Sequence, residues 1–119
     1  MELSYSGAQS PLYIVRNHEL SVFDPDKVNV GTAPHNYRFT RQDTLLDRED
    51  MIYMFTDGLV DQLGGEAYKR YGTNQLKKLL VEIAGQNTQI QEQAMLDSYW
   101  EWKGDNKQTD DLTLLGIRV

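Results

Sequence analysis

The stretch that most constrains this chain is residues 51–61, where Met51, Ile52, Tyr53, Met54 and Phe55 run together and stop at Thr56, Asp57 and Gly58. A short continuous apolar run ended by a glycine predicts a strand covered on both faces. Asp57 then stands where that strand leaves the sheet, and Gly58 permits a sharp exit that a Cβ would resist. A carboxylate at the end of a rigid buried strand is costly unless something pairs with it. It is also held as firmly as a metal ligand needs to be. Asp61, four residues on, falls about one turn further along if the chain coils into a helix there. An Asp-Gly pair also turns or caps a chain with no ligand involved. This stretch alone leaves both readings open.

Composition narrows the class. The chain has 119 residues, enough for one domain with a core and too few for two, so a single domain over 1–119 is expected. Hydrophobic residues are 39% and charged residues 25% of the chain, which predicts a globular protein. With 12 basic against 18 acidic side chains the formal net charge is −6, and no Lys/Arg cluster offers itself to a phosphate backbone, which argues against nucleic acid. The absence of cysteine removes disulfides, thiol catalysis and zinc–thiolate sites. No apolar run approaches the ~20 residues of a membrane span and the N-terminus carries no signal-peptide pattern, so a soluble, cytoplasmic domain without membrane contact is expected.

Along the chain, residues 2–6 alternate as a strand, and Leu12, Tyr13, Ile14 and Val15 form a second by β-branched and aromatic content. A short connection through His18 leads to a returning strand over 20–23, making a hairpin. Residues 24–34 are irregular, 37–46 mostly extended, and 47–50 a charged turn. Residues 62–72, with Gly64, Gly65 and Gly72, are expected to be a loop with a helical turn. Leu76, Leu79, Leu80, Ile83 and Ala84 then recur at helical spacing, predicting a helix over about 73–85 capped by Thr73 or Asn74 and ended by Gly85. Thr88 and Gln91 have capping-box spacing for a second helix to about Lys103, with Ile90, Ala94, Tyr99 and Trp102 near its core face and Gly104 closing it. His18 and His35 read as bland turn and loop residues.

The tail is the second informative place. A polar loop ends in Asp110 and Asp111, and residues 112–119 form a last strand, nearly continuous in apolar residues. If that strand runs antiparallel to residues 51–56, the two acidic sites meet at one edge of the sheet. Clustered carboxylates without Cys or nearby His select a hard divalent cation, Mg²⁺ or Mn²⁺. An Asp-Asp pair at a solvated turn is the plain alternative.

In this order and spacing the chain resembles the C-terminal part of the metal-dependent PPM-type (protein phosphatase 2C-like) serine/threonine phosphatases, in their bacterial SpoIIE-like branch. Four segments carry the likeness: Tyr5, Ser6, Gly7, Ala8, Gln9, Ser10, Pro11, Leu12 and Tyr13; residues 51–62 with their Phe-Thr-Asp-Gly-Leu-Val-Asp core; the helix pair ending Glu101, Trp102, Lys103, Gly104; and Gln108, Thr109, Asp110, Asp111, Leu112, Thr113, Leu114, Leu115. The resemblance implies an α+β fold, mainly antiparallel, with two adjacent helices on one sheet face, the C-terminal part of the family's α-β-β-α sandwich. It implies metal ligation by Asp57 and Asp110, and by analogy with the wider fold a weaker additional ion at Asp61. The family's N-terminal half, with its Asp-x-x-Gly-His-Gly type motif, has no counterpart here, and Met1 directly before Glu2 reads as the start of a truncated chain or of an incomplete reading frame.

The function implied is that of a phosphoserine/phosphothreonine phosphatase acting on a phosphorylated regulatory protein in bacterial signalling, by water activated at two Mg²⁺ or Mn²⁺ ions. Asp57 and Asp110, with Asp61 and Asp111 nearby, are too few for a tight binuclear site, so this chain alone is expected to bind metal weakly or not at all and to be inactive. The competing reading is a non-catalytic interaction or regulatory module on the same fold. A receiver-like phosphoacceptor at Asp57 fits poorly, since receivers alternate strands and helices from the start. Strands apolar on both faces need two covering layers, and the two helices supply one. Leu12, Ile14, Met54, Phe55, Leu114 and Ile117 include candidates for an uncovered surface, from which a homo-oligomer is expected.

Overall fold

Strand-forming sequence dominates the first half of the chain, and a computed structural model, which describes residues 1–119, resolves it into a two-stranded ribbon and a four-stranded sheet. The chain divides into two compact units, one of Met1–Met54 with Gly116–Val119 and one of Phe55–Leu115.

In the first unit, β1 (Glu2–Tyr5) pairs antiparallel with β4 (Gln42–Leu45), placing Glu2 opposite Leu45. β2 (Leu12–Arg16) and β3 (Glu19–Phe23) form the expected hairpin. Their two-residue turn, Asn17 and His18, has φ of 48° and 66°, the left-handed pair that matches the twist of the flanking strands. His18 is therefore a turn residue, as its surroundings in the sequence suggested. β2 also pairs antiparallel with β5 (Met51–Phe55), setting Tyr13 opposite Tyr53 and Ile14 opposite Ile52. With β8 (Leu114–Arg118) the sheet order is β3-β2-β5-β8. The Val119 amide donates to the Asp50 carbonyl and the Thr56 amide to the Thr113 carbonyl, so β5 and β8 run antiparallel.

Leu12, Ile14, Leu46 and Ile52 form a buried cluster, and Leu3, Tyr5, Phe23 and Val119 pack against it. Leu12 and Ile14 were candidates for an uncovered surface, and the β1–β4 ribbon with its extension to Leu46 covers them instead. Phe55 is buried as well. Met54 (38% exposed) and Ile117 (43% exposed) do reach solvent. β8 also departs from the buried strand anticipated, since Leu115 is exposed too. It lies at the end of the sheet, and an apolar run does not record whether a layer covers it. The remaining β5 side chains are buried, and burial pushes the Tyr53 hydroxyl up to about 12, with Arg118 pulling slightly the other way.

One ion pair fastens the entry to β5. Asp50 is 2% exposed, and its carboxylate accepts Arg16 Nε at 2.9 Å, Arg16 Nη2 at 2.5 Å and the Asp47 amide at 2.8 Å. The hydrogen bonds from Arg16 hold the Asp50 carboxyl below its ordinary value, against a smaller opposing effect of burial. Arg16 Nη2 also donates to the Leu45 carbonyl at 2.9 Å.

In the second unit, α1 (Asp57–Val60) follows β5 directly. Residues 62–72, expected as a loop with a helical turn, instead form a short hairpin of β6 (Leu63–Gly64) and β7 (Lys69–Arg70). α2 (Thr73–Ile83) and α3 (Thr88–Lys103) match the predicted helices closely. Leu76 and Leu80 are fully buried along the predicted stripe of α2. The caps differ. Gly72, with φ of 85°, precedes α2, and no side chain caps it. Asn87 caps α3 by accepting the Ile90 amide at 2.9 Å. Gln91, anticipated as half of a capping box, donates instead to the Ala84 and Gln86 carbonyls at 3.2 and 2.8 Å, tying the two helices together. On α3 Tyr99 is buried and Trp102 half-buried, whereas Ile90, assigned to the core face, is exposed. Gly104 closes α3 with φ of 53°.

Candidate metal centre

All three predicted ligand residues belong to the second unit. Asp57 is the first residue of α1, and its exposed carboxylate stands at the end of β5. Asp61 ends the same turn, and its amide donates to the Asp57 carbonyl at 2.9 Å, so the two acids are one turn apart, as the spacing implied. Asp110 lies in the loop that precedes β8, where its Oδ1 accepts the Asp111 amide at 2.7 Å. Gln108 Nε2 donates to the Asp110 carbonyl at 3.0 Å, so the loop is partly held by its own members.

What brings the two acidic segments together is backbone. Thr56, just before Asp57, donates its amide to the Thr113 carbonyl at 3.0 Å and accepts the Thr113 amide on Oγ1 at 3.1 Å. Gly58, just after Asp57, lies against the Asp111 carbonyl so closely that a Cβ there would overlap its oxygen and carbon. This is a different use of Gly58 from the sharp exit expected. Its backbone is not left-handed; it is a glycine because another segment occupies the space of a side chain. The two acidic segments therefore share one end of the β5–β8 pair.

The donor set is carboxylate oxygen, the kind a hard divalent cation takes. It does not fit a closed binuclear centre, because nowhere do three or more His, Asp or Glu side chains converge as a cation-holding group. Asp61 is drawn partly elsewhere: its Oδ1 lies 3.9 Å from Arg70 Nη1, an exposed pair of little energetic weight.

Sequence reasoning missed Gln62, which is 1% exposed and sits immediately after Asp61. Its Nε2 donates to the Leu63 and Lys107 carbonyls, both at 3.0 Å, and its Oε1 accepts the Tyr99 hydroxyl at 3.2 Å. Its own carbonyl accepts Trp102 Nε1 at 3.0 Å and the Tyr71 amide at 2.9 Å. A glutamine in a polar, glycine-rich stretch carries no signal of burial, so only the folded chain reveals it.

The family model for Stage II sporulation protein E (SpoIIE) matches residues 1–119, the whole chain. The chain belongs to the SpoIIE family. The fold of this SpoIIE-family chain matches part of a protein phosphatase 2C domain. It is similar to the SiaA-PP2C domain of Pseudomonas aeruginosa, with a TM-score of 0.92 and 26% identity, over 99% of this chain and 46% of that one. It is similar also to the PP2C phosphatase domain, with a fragment of the regulatory domain, of the cell fate determinant SpoIIE from Bacillus subtilis. There the TM-score is 0.71 at 15% identity, over 99% of this chain and 33% of that one, a likeness of fold alone. The chain thus spans less than half the length of either. Among curated proteins no relative matches. The α+β, mainly antiparallel architecture and the PPM-type family expected from the sequence both hold.

Proposed function

We propose that this chain is the C-terminal portion of the catalytic domain of a metal-dependent phosphoserine/phosphothreonine protein phosphatase of bacterial signalling, a single domain working in the cytoplasm. The supporting observation is the seating of the Asp111 carbonyl on Gly58, which sets the Asp57 and Asp110 segments side by side. Asp57 and Asp110 are the residues that would hold Mg²⁺ or Mn²⁺, with Asp61 available to a weaker ion. The metal would supply an activated water and offset charge on the phosphoryl oxygens. The chain's own part is positional: contacts among Thr56, Gly58, Asp111 and Thr113 hold two carboxylate-bearing segments side by side. A phosphatase domain of SpoIIE from B. subtilis has been presoaked with Mn, which makes Mn²⁺ the first cation to try. The test is Mn²⁺-dependent phosphate release from a phosphoserine peptide by the whole protein containing this chain. Loss of turnover in Asp57→Asn and in Asp110→Asn is expected, and turnover retained in both overturns the proposal.

One observation favours a second reading, a non-catalytic interaction module on the same fold: no three acidic or imidazole side chains converge here. Full turnover of the whole protein excludes it.

A further inference from the structure

We infer that Gln62 is a positioning residue, which locks the loop bearing Asp110 to the turn bearing Asp57 and Asp61; this rests on the metal-site reading above. Four separate parts of the second unit converge on this one residue. By chain position it is the direct continuation of the α1 turn, and its amide donates to the Leu59 carbonyl at 3.2 Å. Through Nε2 it reaches 45 residues along the chain to the Lys107 carbonyl, three residues before Asp110. Through Oε1 and its carbonyl it takes Tyr99 and Trp102 of α3, and through that carbonyl also Tyr71, where the hairpin leaves β7.

The chemistry explains why the residue is a glutamine. The Lys107 and Leu63 carbonyls both need donors and the Tyr99 hydroxyl needs an acceptor, and only a primary amide supplies two N–H groups and an oxygen from one side chain. A buried network of this kind is rigid when every member is satisfied and costly when one is missing. No buried side-chain nitrogen or oxygen is left without a partner. Asp110 itself is exposed and is restrained only by neighbours within its own loop, Gln108 and Asp111. The loop therefore takes its position from Asp111 against Gly58 and Thr113 on Thr56 on one side of Asp110, and from Lys107 on Gln62 on the other. Removing the Gln62 amide frees the second end and lets Asp110 move away from Asp57.

Two variants of the chain test this. Gln62→Met keeps the volume and removes all three side-chain hydrogen bonds, and Gln62→Glu keeps the acceptor for Tyr99 but removes both donations. Gln91→Met is the control, an equally buried glutamine whose bonds join α2 to α3. Amide-hydrogen exchange on the metal-free chain should speed up at least tenfold at Asn106 and Asp111 in both Gln62 variants and stay unchanged there in Gln91→Met. Mn²⁺ titration, followed by paramagnetic broadening of the Asp57 and Asp110 amides, should show affinity weakened about tenfold in the Gln62 variants only. Unchanged exchange at Asn106 and Asp111, or the same acceleration in Gln91→Met, overturns the positioning role. If the unsubstituted chain shows no broadening at millimolar Mn²⁺, it binds no metal by itself, as its few carboxylates predict, and the exchange result still decides what Gln62 does.

Discussion

Thr56 and Thr113 form a closed pair: the Thr56 amide donates to the Thr113 carbonyl at 3.0 Å, and the Thr113 amide returns to Thr56 Oγ1 at 3.1 Å. A side-chain hydroxyl thus takes the place of a backbone carbonyl in the last rung before Asp57. Thr56→Val keeps the shape and strand propensity but leaves the Thr113 amide without that acceptor. A loss of about 1 kcal/mol is expected in urea denaturation, with Mn²⁺ binding weakened as the loop end loosens.

Gly58 is expected to tolerate no side chain. In Gly58→Ala the added methyl meets the Asp111 carbonyl, which is backbone and cannot rotate away. Overpacking of this kind costs on the order of 1–3 kcal/mol. Equilibrium denaturation gives the cost, and shifted amide resonances confined to residues around 58 and 108–112 identify its source. A neutral Gly58→Ala would mean that the two segments are not in contact.

Acid should weaken the first unit through Asp50. Its folded-state carboxyl is depressed by hydrogen bonds from Arg16, so the ionised form is favoured on folding. That contribution is complete above the ordinary carboxylate range near pH 4 and is lost as pH falls through the lower folded value. Asp50→Ala should abolish this part of the acid dependence and cost roughly 2–3 kcal/mol at neutral pH, below the full buried-pair value because Arg16 reaches solvent. Stability measured from pH 7 to pH 2 in both proteins checks it.

Met54 and Ile117 are exposed apolar side chains on neighbouring strands, and a homodimer or higher oligomer of this chain is expected. Ile117→Lys should shift the mass by light scattering toward the 13.7 kDa monomer. A clean monomer for the unsubstituted chain at high concentration contradicts the prediction.

The chain alone is expected to show no Mn²⁺-dependent hydrolysis of a phosphoserine peptide. Turnover that disappears in Asp57→Asn would show that these carboxylates suffice without further ligands.

Much of this protein was legible from local pattern alone. The apolar run of 51–55, the β-branched and aromatic run of 12–15 and the stripe of Leu76, Leu80 and Ile83 each mark their own element, because strand and helix signals play out over only a few residues. The acids at positions 57 and 61 could be placed at the ends of a turn for the same reason, whereas Asp110 lies in a loop four residues before β8, which begins at Leu114 and not at 112. What lay between elements was not legible. The burial of Gln62 depends on a partner 45 residues away, the Lys107 carbonyl, whereas the hairpin over 63–70 and the cap by Asn87 rather than Thr88 are local choices that residue spacing did not distinguish. The exposure of β8 likewise depends on which layer lies over it, and hydrophobicity alone cannot say. Residue type and spacing determined the elements. Only the tertiary structure decided which backbone seats against which, because a carbonyl filling the space of a missing Cβ, as Asp111 does at Gly58, leaves no mark on local periodicity.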